Sequence, residues 1–190
     1  MCASYHVLPE ESMEMQAIIS EVVANFPQTD VAKGRIVPSL TTPVIGPDGP
    51  VPMAFGMQLS SKKGLLLNAR SEGARTSPLF APMLENARCL VPANDFYEWT
   101  KDKKPHIFPH AKGGLLYMAG FFVRTLPVPR FIIITREADS LVSPIHNRMP
   151  LLMASPEYRQ AWLSSHVLAA ELLHLPQEVA LVDILAAQAQ

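Results

Sequence analysis

Only two of the 190 residues are cysteine, Cys2 and Cys89. Two are too few for a disulfide framework, and their spacing matches no metal motif. Charge is also scarce, at 17% of residues with a net of −1. Nothing global therefore attracts a polyanion, and any nucleic-acid surface must be a local patch. No basic segment followed by an apolar run opens the chain, so a signal peptide is not expected. The longest apolar run, Leu115 to Val123, is roughly half of the ~18 residues a membrane helix needs. These absences point to a cytoplasmic protein that uses no membrane, no metal and no cofactor, and that is expected to be a monomer.

What is abundant is apolar side chain, 48% of the chain, and proline, 18 residues. That proline count is nearly twice the ordinary ~5% usage, and it argues against a helical bundle. Met15, Ile18, Ile19, Val22, Val23 and Phe26 recur at near-helical spacing, so the pattern predicts a helix over 12–26 capped by Ser12. Ser155-Pro156-Glu157 marks a second helix start, and the Ala-rich last 25 residues read as helical. Pro38 to Pro52 reads as loop and short edge strands around the turn Gly46-Pro47-Asp48-Gly49. Strands are expected at Met53 to Leu59, Gly64 to Leu67, Cys89 to Ala93, Phe96 to Thr100, His106 to Pro109, Leu115 to Arg124 and Phe131 to Thr135. Ser60-Ser61-Lys62-Lys63 is a polar turn between two of them. Strands and helices mix without a βαβ rhythm. The expected fold is α+β, one domain over 1–190, with a β-rich, barrel-like mixed sheet flanked by helices.

Cys2 follows the initiator Met, and a small residue there permits removal of Met1. The exposed terminus would carry an α-amine, with a pKa of about 7.7–8.0, beside a thiol of about 8.5. Such a 1,2-aminothiol condenses with an aldehyde to an imine, which the thiol closes to a five-membered thiazolidine. It can equally serve as an acyl-transfer nucleophile with its own amine as base. Other residues have plain readings beside functional ones. The plain reading of Asn68 is a turn cap. Alternation on a strand places Glu98 opposite Tyr97 and Trp99, either as a solvated carboxylate or in a cleft with the two aromatics in the core. His146 lies in a Pro-bracketed loop, where catalytic residues often sit. Arg70 and Arg148 could be surface salt-bridge residues, and Cys89 a buried structural thiol. His106 and His110 are four apart, but Pro109 and the strand-like context argue against a helical metal pair.

Five segments in order carry a resemblance: Met1-Cys2, Asn68-Ala69-Arg70-Ser71-Glu72, Cys89-Leu90-Val91-Pro92-Ala93, Phe96-Tyr97-Glu98-Trp99 and Ile145-His146-Asn147-Arg148-Met149-Pro150. Together they resemble the SOS-response-associated peptidase (SRAP) family of abasic-site processing proteins, from Cys2 to about Leu163. The resemblance implies a protein that senses abasic sites in single-stranded DNA and forms a thiazolidine crosslink through Cys2. Met1 would leave by self-processing or through an aminopeptidase. By the same resemblance, Asn68 would hold the Cys2 amine or the sugar. Glu98 would help open the deoxyribose ring, and His146 would move protons during imine formation or elimination. Arg70 and Arg148 would bind flanking phosphates, with Pro38, Phe55, Lys62 and Lys63 also on the DNA side. The chain departs from the family in Cys2-Ala3-Ser4, where Cys-Gly-Arg is usual. Phe55 stands in place of a Trp, and Ser60-Ser61 in place of an aromatic pair. Two other classes remain: an N-terminal-nucleophile peptidase or amidase using Cys2, Glu98 and His146, and a DNA-binding module without chemistry.

Overall fold

The computed structural model describes residues 2–59, 63–125, 127–175 and 178–188. In chain order the strands are β1 (Tyr5–Val7), β2 (Gly34–Ile36), β3 (Thr41–Gly46), β4 (Gly49–Phe55), β5 (Met57–Gln58), β6 (Leu65–Leu66), β7 (Asn68–Arg70), β8 (Arg88–Ala93), β9 (Asp95–Trp99), β10 (Pro105–Pro109), β11 (Leu116–Val123), β12 (Arg130–Glu137) and β13 (Arg148–Pro150). The helices are α1 (Met13–Asn25), α2 (Ala81–Asn86), α3 (Pro156–Ser164), α4 (His166–Leu172) and α5 (Ile184–Gln188). The fold is α+β, as the mixed order of elements implied. Strands β11, β8, β3, β4 and β12 pair in that order, and β12 pairs back to β11, so the five close into a barrel. Strands β7 and β13 extend it from β12. A second sheet, in the order β10-β9-β1-β2, is wholly antiparallel.

The continuous apolar runs reflect burial on both faces of the barrel strands. Met118 and Phe122 of β11, Phe131 and Ile133 of β12, and Cys89 and Val91 of β8 point into the core shared with the second sheet. Their neighbours Ala119, Phe121, Ile132, Ile134 and Leu90 join a separate cluster with Trp162 and the helical residues Leu84, Ala169 and Leu172. Arg88 ties this helical layer to the barrel. Its buried guanidinium donates to the carbonyls of Leu84 (2.5 Å), Trp162 (2.6 Å), Glu85 (2.7 Å) and Leu163 (3.1 Å). A cation placed there satisfies carbonyls that helix ends leave open.

The helix starts fall where the capping residues put them. Ser12 Oγ accepts from the Met15 amide, and Ser155 Oγ from the Tyr158 amide. The final segment is only partly helical, because residues 180–182 run beside β10, with the Ala111 amide donating to Ala180 O (2.7 Å) and the Val182 amide to Pro109 O (3.2 Å).

Pro38 to Pro52 corrects the expectation of loop and edge. Most of it is the β3–β4 hairpin, in the middle of the barrel order. Pro43, Pro50 and Pro52 share the register of the Thr41–Ala54 pair, and there the Ala54 amide points away from β3 to Pro129 O (2.8 Å). At such positions the missing proline N–H removes no bond between the two strands. Prolines of one parity are thus compatible with an interior hairpin.

Candidate active site

Four segments distant in sequence meet at the end of β1. Residues 2–4 continue the line of β1 along β9, where the Tyr97 amide donates to Ser4 O (3.0 Å). The β1–β9 register, Tyr5 opposite Phe96, therefore brings the residues next to Cys2 alongside Glu98. Strand β7 supplies Asn68, whose amide donates to Cys2 O (3.0 Å) and to Ile133 O (3.4 Å). The loop before β13 supplies His146, whose Nδ1 lies 3.7 Å from Glu98 Oε2. The Arg148 amide donates to that same Nδ1 (3.0 Å) and fixes the ring's orientation.

The electrostatics follow from burial. Cys2 and Glu98 are 0% and 1% exposed. Burial drives the Cys2 thiol well above its ordinary range, and the negative charge of Glu98 pushes it further in the same direction. Burial also holds the Glu98 carboxyl above the usual carboxylate range. Burial thus favours the neutral thiol over the thiolate, and it biases the carboxyl toward its protonated form. A cleft of roughly 330 Å³ adjoins Asn68, lined by Arg70, Leu66, Ser77, Leu79 and Phe80.

The residues expected on the DNA side divide differently. Arg70 and Lys63 are exposed, and Pro38 is half-buried in the turn between β2 and β3. Lys62, with Ser60 and Ser61, lies outside the described residues. Phe55 is not at a DNA surface. It is fully buried, stacked on Phe131 at 5.2 Å and edge-on to Tyr5 at 5.9 Å, because β4 enters the barrel core there. Arg148 is committed elsewhere too. It forms a two-pronged pair with Glu72 (2.6 and 2.9 Å) and donates to Thr135 O (2.6 Å), so its fork already holds a carboxylate. Tyr97 and Trp99 stack at 5.6 Å on the face of the second sheet opposite Glu98, with Tyr97 buried and Trp99 half-buried. Arg35, which sequence reasoning missed, lies over both rings and donates through Nε to Ser4 Oγ (2.9 Å). Its partners are set by strand register, and no local motif announces them.

A closed barrel with an adjoining antiparallel sheet, and a buried second-residue cysteine beside Asn68, Glu98 and His146, defines the class. The profile of the SOS response associated peptidase (SRAP) family matches residues 1–187, and the chain belongs to that family. It is 34% identical over 113 residues to the abasic site processing protein YedK of Escherichia coli, covering 56% of this chain and 50% of that one. It is 32% identical over 108 residues to the abasic site processing protein YoaM of Bacillus subtilis, covering 52% and 47%. With the abasic site processing protein HMCES of Gallus gallus it shares 32% identity over 124 residues, covering 50% and 37%. The matched region spans about half the length of the bacterial relatives. Solved structures share the fold. A protein from Bacteroides thetaiotaomicron superposes with a TM-score of 0.73 at 21% identity, over 90% of this chain and 86% of that chain. One from Bordetella bronchiseptica gives 0.72 at 20% identity, over 95% and 97%.

Proposed function

We propose that this protein captures abasic sites in single-stranded DNA by a covalent bond to Cys2, once Met1 has been removed. The observation that carries the reading is the meeting of Cys2, Asn68, Glu98 and His146 from four separate segments. The names of the relatives supply the substrate.

The chemistry suits these groups. An abasic deoxyribose is mostly a closed hemiacetal. Opening it takes a proton from the anomeric hydroxyl and delivers one to the ring oxygen. A carboxyl biased toward protonation, Glu98, is suited to that delivery, and the His146 ring to acceptance. The freed aldehyde is attacked by the neutral Cys2 amine, and the carbinolamine loses one water to give an imine. The thiol then adds across the C=N bond and its proton moves to nitrogen, closing the thiazolidine. The sum is aldehyde plus aminothiol giving thiazolidine plus one water, with no oxidant. Asn68, bound to Cys2 O, holds the nucleophile's backbone while its amine and thiol react. An abasic site has no base to extract, so the unstacking cost of flipping is small.

The names of the relatives, abasic site processing proteins, favour DNA over a peptide supplied in trans as the substrate. Removal of Met1 is instead the step that frees the aminothiol.

Intact-mass analysis of the Met1-free protein mixed with an abasic-site oligonucleotide tests the reading. The expected product weighs the sum of both less one water, and Cys2→Ala forms none. Absence of any adduct, or an undiminished adduct with Cys2→Ala, overturns it.

A further inference from the structure

The proposed chemistry leaves a largely buried histidine–carboxylate pair unused. His106 Nδ1 lies 2.5 Å from Asp183 Oδ2, with the side chains 19% and 8% exposed. The other oxygen, Asp183 Oδ1, accepts from the Ala186 amide (3.2 Å) at the start of α5. One carboxylate thus joins β10 to the segment 178–188. Backbone contacts hold the same segment to the end of β10, where an antiparallel bridge pairs Leu181 with His110.

This segment bears on the supports of both proposed acid–base residues. On one side, His106 stands directly opposite Glu98 in the β9–β10 register. The Tyr97 amide is turned to β1, donating to Ser4 O (3.0 Å), so alternation turns the Glu98 backbone toward His106. Opposed residues share a face. His106 and Glu98 therefore lie on one side of the second sheet, with Phe96 and Phe108 stacked beside them at 5.2 Å. On the other side, Val179 packs on the core and lines a small cavity with Asp139, Met149 and Leu152. Asp139 Oδ1 accepts from the Leu141 and Val142 amides (3.0 and 2.9 Å), and Val142 O accepts from the His146 amide (3.0 Å). The side chains of Glu98 and His146 lie 3.7 Å apart between these two supports.

We infer that Asp183 and His106 are positioning residues for the Cys2 reaction, latching segment 178–188 as a strap that keeps the Glu98 strand and the His146 loop at working separation; the inference deepens the proposed function and rests on it for the reaction served. Apolar packing is non-directional and lets a strap slide. A short bond to a buried carboxylate fixes one register, because any shift leaves that carboxylate unsatisfied. Proton transfer needs such precision, since misplacement by about 1 Å can cost on the order of a hundredfold in rate.

The test follows the Glu98 carboxyl by carbon NMR titration of the full chain without DNA. The titratable groups that face it are Cys2 before β1, His146 in its loop and His106 on β10. Burial holds this carboxyl above the usual range, so a loosened strap that admits water should lower its midpoint. Asp183→Asn keeps the shape and the Ala186 cap but removes the charge. It is expected to bring the Glu98 midpoint down toward the ordinary carboxylate value. With an abasic oligonucleotide it should slow the saturated rate of adduct formation roughly tenfold and leave the half-saturating DNA concentration unchanged. In a Glu98→Gln background the same change should cost under about twofold, because the residue it positions is already gone. If Asp183→Asn loses cooperative unfolding, His106→Phe replaces it, keeping a ring beside Phe108 and removing Nδ1. His106→Asn, which returns a donor near that position, should recover most of the wild-type midpoint. An unshifted Glu98 midpoint in the unlatched variant overturns the strap, as does an equal rate loss in the wild-type and Glu98→Gln backgrounds. The two readings fail separately. A wild-type chain that gives no adduct sinks the covalent chemistry, and the titration then decides the strap alone. Normal adduct formation in every latch variant with an unshifted midpoint does the reverse.

Discussion

Cys2 and Cys89 share every local property by which a cysteine is usually judged. Both are free, both are 0% exposed, and burial pushes both thiols well above their ordinary range. Their surroundings separate them. Cys89 sits mid-strand in β8, opposite Gly120, with its carbonyl accepting from Trp162 Nε1 (2.9 Å). Cys2 has Asn68 on its carbonyl and Glu98 acting on its thiol. A buried thiol is inert by itself; under the proposed function, the polar groups that converge on Cys2 and the removal of Met1 are what would set it apart from Cys89.

The largest effect expected follows from that contrast. Cys2→Ala should abolish adduct formation with an abasic oligonucleotide. Cys89→Ala should leave the yield unchanged and lower unfolding free energy by about 1 kcal/mol, the loss of a small buried group. Both readouts come from one preparation, by mass and by urea titration. Equal adduct yields from the two variants would erase the distinction.

Next is Glu98→Gln, which keeps the shape and removes the titrating proton. Loss of one positioned acid should slow adduct formation by about a hundredfold or more. The pH dependence has a definite sign. The folded pKa of Glu98 is raised, so the folded form binds the proton more tightly than the unfolded chain. Its stability contribution is whole below the ordinary carboxylate pKa and is lost as pH rises through the raised value. Wild type should therefore lose stability relative to Glu98→Gln over that interval above the ordinary value. Parallel pH–stability curves would show that Glu98 is not held protonated. Cys89, with no such partner, offers no matching signature.

How much of this was legible beforehand depends on the range of the cause. Ser12 and Ser155 act on amides three residues away, so both helix starts could be read from the chain. The four site residues could be named from short motifs, though the contacts among them depend on strand pairing. Proline misled at 43, 50 and 52, because parity decides whether a proline N–H is missed and parity is set by register. Phe55 and Arg148 misled for another reason. Residue type alone does not say whether an aromatic faces core or solvent, or whether an arginine fork is already filled. Tyr97, Trp99 and Arg35 come together only through the β2-β1-β9 register.

Gly120 tests the Cys89 side of the comparison. A Cβ there would lie 2.8 Å from Ile132 O and 2.9 Å from Cys89 Sγ. The first neighbour is sheet backbone and cannot turn aside. Gly120→Ala should cost about 1–3 kcal/mol through overpacking. Cys89→Ala in the same chain should return only part of that loss, because the carbonyl clash remains. Full rescue in the urea midpoint would show that the thiol alone sets the spacing of β8, β11 and β12.

The smallest effect concerns the clamp behind the Cys2 site. Arg148 grips Glu72 and Thr135 O, and its own amide orients His146. The hydrogen bonds from Arg148 hold the Glu72 carboxyl below its ordinary value. A lowered folded pKa contributes stability above the unfolded value and loses it as pH falls through the folded one. Glu72 is half exposed at 52%, so solvent screens the pair and Glu72→Gln should cost under about 1 kcal/mol at neutral pH. That difference should shrink as pH drops below the ordinary carboxylate range, because the wild-type carboxyl is then neutral as well. A constant gap between wild type and Glu72→Gln from neutral to acid pH would mean that charge does not hold the clamp. The orientation of His146 would then rest on the β13 backbone alone.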